Sequence, residues 1–167
     1  MNQFILLKPH LIFLMLSLFM AGCGFHLRGD LVLPELYQRV YLADNGNRDI
    51  SKPLKAALES VGTKLEPTAE SATSVVTLLT SGVQRRVLNV AGNSVREYEL
   101  QLNVAFVVQD HEGKQVAEQQ TVSVISNYRN NINNVLGSDN EEVIIRKEMY
   151  QAAVIKILRR MKDIAEY

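Results

Sequence analysis

The sequence predicts a two-layer α+β sandwich: a four-stranded mixed sheet with two helices on one face, in the order β-α-β-β-β-α. Two observations carry this. Tyr98, Leu100, Leu102, Val104, Phe106 and Val108 alternate with Glu99, Gln101, Asn103, Ala105, Val107 and Gln109, the period of a strand with one buried face. Two stretches with helical spacing, Ser51–Val61 and a longer one ending near Ala165, enclose the strand-rich middle. One helix between the first two strands makes them parallel neighbours, and the remaining strands are joined as hairpins.

Taken in order, Tyr37–Ala43 is rich in β-formers and reads as the first strand. Asp44–Asn47 is a turn cluster. In the first helix Ile50, Leu54, Ala57, Leu58 and Val61 share a face, Ser51 is the candidate cap, Pro53 falls in the first turn and Gly62 is the stop. Pro67–Ser74 is small and polar, a loop. Ser74–Val90 reads as a long strand of undecided facing, and Ala91–Ser94 as a turn. After the alternating strand, Glu112-Gly113 marks a hairpin, and Gln115–Tyr128 is the partner strand, with Val116, Val122 and Val124 on one side and Thr, Ser and Gln on the other. That second side is expected to be wet or covered by something polar.

Asn127–Asn140 holds six asparagines and reads as a loop. Ser138–Glu141 fits a capping box for the last helix. Its expected apolar stripe is Val143, Tyr150, Val154, Ile157, Leu158, Met161 and Ala165. Lys156, Arg159, Arg160 and Lys162 crowd its second half, where the helix dipole favours cations.

With 47% apolar and 22% charged residues, the 167-residue chain has the composition of a globular domain with one core. Eighteen basic and eighteen acidic residues cancel, which argues against general nucleic-acid binding. The N-terminus departs from this balance. Lys8, an apolar run at Leu11–Met20 and the small pair Ala21-Gly22 follow the order of a secretory signal peptide. The run is well short of the roughly 20 residues a spanning helix needs. Residues 1–22 are therefore assigned to a signal peptide, 23–36 to a tether and 37–167 to one α+β domain.

Chemistry-bearing motifs are sparse. Of three histidines, His10 leaves with the signal, and His26 and His111 share no metal-ligand spacing with a cysteine. No phosphate loop, dinucleotide fingerprint or Gly-x-Ser-x-Gly elbow occurs. Glu141-Glu142 is explained by helix capping. No enzyme, metal or cofactor is expected. Candidate binding residues are Arg85, Arg86 and Arg96 around one turn of the sheet, with Lys156, Arg159 and Arg160 on the last helix. Guanidinium forks suit phosphate and carboxylate; exposed edge charges that discourage strand pairing are the simpler reading.

Cys23 is the one cysteine. In an exported protein a lone thiol has no internal disulfide partner. Met20-Ala21-Gly22-Cys23 resembles a bacterial lipobox, with methionine where leucine is commonest. That resemblance implies acylation of Cys23 and cleavage before it, and multiple acyl chains hold a protein on a bilayer where one does not. Gly24 stands where an aspartate resembles the inner-membrane retention signal, so the outer membrane is expected.

Cys23–Gly29 (CGFHLRG), Arg96-Glu97-Tyr98, and the helix from Asp139-Asn140-Glu141-Glu142 through Lys147–Tyr150 to Leu158-Arg159-Arg160 together resemble the LptE family of lipopolysaccharide-assembly lipoproteins. The resemblance follows the whole mature chain in element order. One departure is that the chain stops at Tyr167, where some members carry a polar tail; such a tail is expected to be dispensable. The resemblance implies a non-enzymatic plug and assembly aid inside an LptD-type outer-membrane β-barrel, supporting lipopolysaccharide delivery to the outer leaflet and binding lipopolysaccharide. Wide barrels have polar interiors that hold such plugs. The alternative is a periplasm-facing lipoprotein adaptor of another lipid-transport complex; a secreted hydrolase lacks its catalytic set.

Overall fold

The computed structural model describes residues 31–91, 95–131 and 135–165. They form β1 (Arg39–Ala43), α1 (Arg48–Ser60), β2 (Lys64–Leu65), β3 (Ser74–Ala91), β4 (Val95–Asp110), β5 (Gln120–Asn131) and α2 (Val135–Ala165). The sheet order is β2-β1-β3-β4-β5. β1 is parallel to both neighbours, and β3, β4 and β5 are antiparallel. This is the expected α+β arrangement, with five strands instead of four. The extra strand, β2, is two residues long, too short to present a period-two pattern.

α1 follows directly from the Asp44–Asn47 turn. Asn47, not Ser51, stands at its N-cap. Ser51 is buried inside the helix, its amide donating to the Asn47 carbonyl at 3.0 Å and its hydroxyl to Asp44 at 3.3 Å. Pro53 therefore falls in the second turn, not the first. At the other end Gly62 adopts φ +88°, and Thr63 N–H donates to Leu58 O at 3.0 Å. That is a Schellman stop, whose left-handed position favours a residue without a Cβ. Ile50, Leu54 and Leu58 are completely buried, and Ala57 and Val61 pack beside them.

The facing of β3 is set by two register shifts against β4, at Leu78/Thr80 and Val87/Asn89. Val76 and Leu78 face the helices, opposite Val108 and Phe106. After the first shift Ser81, Val83 and Arg85 take the inward positions, opposite Val104, Leu102 and Leu100. An extra residue in one strand exchanges its faces beyond that point. This is why simple alternation could not settle the strand's orientation.

β5 begins at Gln120, later than the expected Gln115, which makes only an isolated bridge to Gln109. The connecting turn is held by Asp110, whose carboxylate accepts from the Glu112 and Lys114 amides at 2.9 Å each. β5 continues to Asn131, and α2 starts at Val135. The asparagine-rich stretch read as one loop is thus divided between strand and helix, and Ser138–Glu141 lies within α2 instead of capping it. Pairing of Asn130 with Arg96 and Asn131 with Val95 extends the ladder despite the poor strand propensity of asparagine.

α2 departs from its expected stripe at one end. Met149, Ala153, Val154, Ile157, Leu158 and Met161 are buried, whereas Val143 is 66% exposed. Stepping back from Met149 by three, four and seven residues reaches Arg146, Ile145 and Glu142, so Glu142 takes the sheet-facing position. Val143, one residue on, is turned about 100° away.

Candidate functional site

Arg85 of β3, Tyr98 of β4 and Tyr128 of β5 stand in a band across the helix-covered face of the sheet. Tyr98 and Tyr128 are direct cross-strand partners, and their rings stack with centroids 5.3 Å apart. The Arg85 guanidinium lies over Tyr98, 5.1 Å from the ring centroid, a cation–π distance. Glu142 descends onto this band from α2. It accepts from Arg85 Nη1 at 3.1 Å, from Arg146 Nε and Nη2 at 2.8 and 2.7 Å, and from the Tyr128 hydroxyl.

The electrostatics follow from that geometry. The Glu142 side chain is only 16% exposed. Burial pushes its carboxyl up, but hydrogen bonds from Tyr128, Arg146 and Arg85 outweigh this and hold it below the ordinary glutamate range. Tyr128 is pushed up to about 12, by burial first and then by Glu142. The result is a polar clasp joining the first half of α2 to three strands. Sequence reading assigned Glu142 to capping and did not single out Tyr128; the Glu142–Arg146 spacing of four was the available signal.

The predicted arginines do not form one patch. Arg85 points toward α2 and is paired with Glu142. Arg86, on the opposite face, is paired across strands with Glu99 at 2.7 Å. Arg96 lies in β4 opposite Val90 and Asn130; its side chain lies outside the described residues. Cys23 and residues 1–22, expected to be a signal peptide, also lie outside them.

The α2 cations are brought together. Lys156, Arg159 and Arg160 line a cleft of about 300 Å³ with Thr121, Ser123 and Asp163, where α2 passes beside β5. Lys156 Nζ donates to the Ser123 carbonyl at 2.5 Å. Among the described residues no cluster of His, Cys, Asp and Glu could hold a metal ion.

The family described as LptE, lipopolysaccharide-assembly, matches residues 37–161. That span takes in every strand and nearly all of α2. The chain belongs to the LptE family. The family is a non-enzymatic component of lipopolysaccharide assembly. Among solved structures, an uncharacterised lipoprotein B from Nitrosomonas europaea is 25% identical, with TM-score 0.73 over 86% of this chain and 93% of its own. A minor lipoprotein from Acinetobacter baumannii is 23% identical, with TM-score 0.65 over 78% of this chain and 94% of its own. The rare lipoprotein B of Shewanella oneidensis is 20% identical, with TM-score 0.63 over 74% and 92%. The last two share the fold. No curated protein matches the chain.

Proposed function

We propose that this LptE-family chain is an outer-membrane lipoprotein, acylated at Cys23, that sits in an LptD-type β-barrel and supports delivery of lipopolysaccharide. The family match over residues 37–161 carries the reading. The shape of the domain is compatible with it. One sheet face is covered by helices; the other carries Gln84, Gln101, Asn103, Thr121 and Ser123, with Arg86 and Glu99 neutralising each other. Such a surface suits the polar lumen of a wide barrel.

Arg85, Arg86, Arg96, Lys156, Arg159 and Arg160 are the proposed lipopolysaccharide or partner contacts. Arg85 and Arg86 already face carboxylates through one nitrogen each, so a lipid phosphate meets their remaining exposed donors in competition with Glu142 and Glu99. The deciding experiment is a pull-down from detergent-solubilised outer membrane. A large β-barrel recovered in stoichiometric amount supports the plug, and its absence overturns it. Binding of lipopolysaccharide to the protein with Arg85, Arg86 and Arg96 all changed to serine tests the lipid contact. Unchanged binding removes these arginines from it. Cys23→Ser is expected to abolish acylation.

A further inference from the structure

The outer edge of β5 carries a row of unpaired backbone groups that the barrel reading does not use. β5 is the last strand of the sheet on its side. It pairs with β4 from Gln120 to Asn131 without a register shift, unlike the twice-shifted β3–β4 ladder. It contains no proline, and its one charged residue is Arg129. Natural sheets usually blunt such an edge with bulges, prolines or charge, because its unpaired amides and carbonyls template another strand.

The Lys156 contact fixes which groups are free. The Ser123 carbonyl points away from β4, toward α2. Residues two apart on a strand point their backbone groups the same way. The N–H and C=O groups of Thr121, Ser123, Ile125, Asn127 and Arg129 therefore form the outward row. All five residues are exposed. Among the described residues, the Lys156–Ser123 bond is the one hydrogen bond to this row.

Cations lie alongside it. Lys156, Arg159 and Arg160 line the cleft next to Thr121 and Ser123, against the single carboxylate of Asp163. Arg129 stands at the far end with its side chain 77% exposed and Glu97 4.0 Å away. A second copy is a poor occupant. Symmetric antiparallel pairing centred on Ile125 sets the Lys156, Arg159 and Arg160 end of one subunit against the Arg129 end of the other, cation against cation.

We propose that the β5 edge binds an extended, acidic segment of a partner chain by strand addition. Main-chain bonds to the outward row supply the register, and carboxylates of the incoming segment meet Lys156, Arg159 and Arg160. Lys156 leaves the Ser123 carbonyl to the new strand and turns to a carboxylate. This does not depend on the identity of the barrel partner.

The test uses the mature protein and two synthetic peptides of β5's length. One alternates valine and threonine with glutamate; the other has glutamine in place of glutamate. Hydrogen exchange is expected to slow at the amides of Thr121, Ser123, Ile125, Asn127 and Arg129 with the acidic peptide and not with the neutral one. Joint charge reversal at Lys156, Arg159 and Arg160 is expected to weaken acidic-peptide binding at least about tenfold. Asn127→Pro removes one outward amide while leaving the β4 ladder intact, and should weaken binding with little change in the circular dichroism spectrum. If Lys156 only guards the edge, charge reversal leaves binding unchanged or tighter, and the proposal fails. No protection of the row, equal protection by both peptides, or protection that grows with protein concentration as a dimer forms each overturns it as well.

Discussion

The two ends of the sheet are attached to their helices by different forces. At the near end, Val76, Leu78, Val104 and Phe106 meet Ile50, Leu54, Leu58, Ile157 and Met161 in a dry core with no exposed surface. At the far end a carboxylate, two guanidiniums and two phenols take the place of aliphatic packing. Apolar groups there stay exposed to solvent instead: Val87, the cross-strand partner of Tyr98, and Val143 and Ile144 of α2 are each more than half exposed. The near end gains stability from every side chain it excludes from water, about 1.5–3 kcal/mol apiece. The far end gains orientation, since one glutamate can accept from three donors only when helix and strands are in register. The near end therefore governs whether the domain folds, and the far end how the first half of α2 is held.

Four substitutions test this contrast. Phe106→Ala, in the near core, should cost the most, about 3–5 kcal/mol in denaturant unfolding. If it costs less than the clasp variants, the assignment of roles is reversed. Glu142→Gln should cost about 1–3 kcal/mol, because it weakens bonds to Arg85, Arg146 and Tyr128 together. Its pH dependence has a definite sign. The Glu142 carboxyl lies below its ordinary value of 4.5 when folded, so its stabilising effect is fully present above that value. It is lost as pH falls through the lower, folded-state value. The gap between wild type and Glu142→Gln should narrow only in that acid range, as measured by melting temperature.

Arg85→Gln should cost less than about 1 kcal/mol, since its side chain is half exposed and Arg146 still holds Glu142. A larger loss would mean that the cation–π contact with Tyr98 carries the clasp. The smallest effect concerns Tyr37, which is buried with a hydroxyl that has no partner among the described residues. Tyr37→Phe should be neutral or slightly stabilising, because it removes a desolvated polar group without breaking a bond. A measurable loss would reveal a hydrogen bond to that hydroxyl.

Much of the near end was legible in advance. Leu100, Leu102, Val104, Phe106 and Val108 of the alternating strand, and the Ile50, Leu54, Leu58 face, are buried as expected, whereas Tyr98 at the head of that alternation is only partly buried. The far end was less so. Arg85 and Arg86 are adjacent in sequence and read as one patch, yet they lie on opposite faces with different partners. Val143 looked like core, whereas Glu142 occupies the inward position.

From the sequence alone follow the α+β class, the apolar face of α1, the expectation of an export signal ending at Cys23, and the resemblance to the LptE family. Each rests on short-range periodicity or on a contiguous motif. The facing of Arg85, the Glu142 clasp, the length of β5 and the cations beside its free edge emerge only from tertiary structure. They depend on where a bulge resets the alternation and on which strand ends the sheet. Both are settled by pairing between residues distant in the chain, which local pattern does not encode.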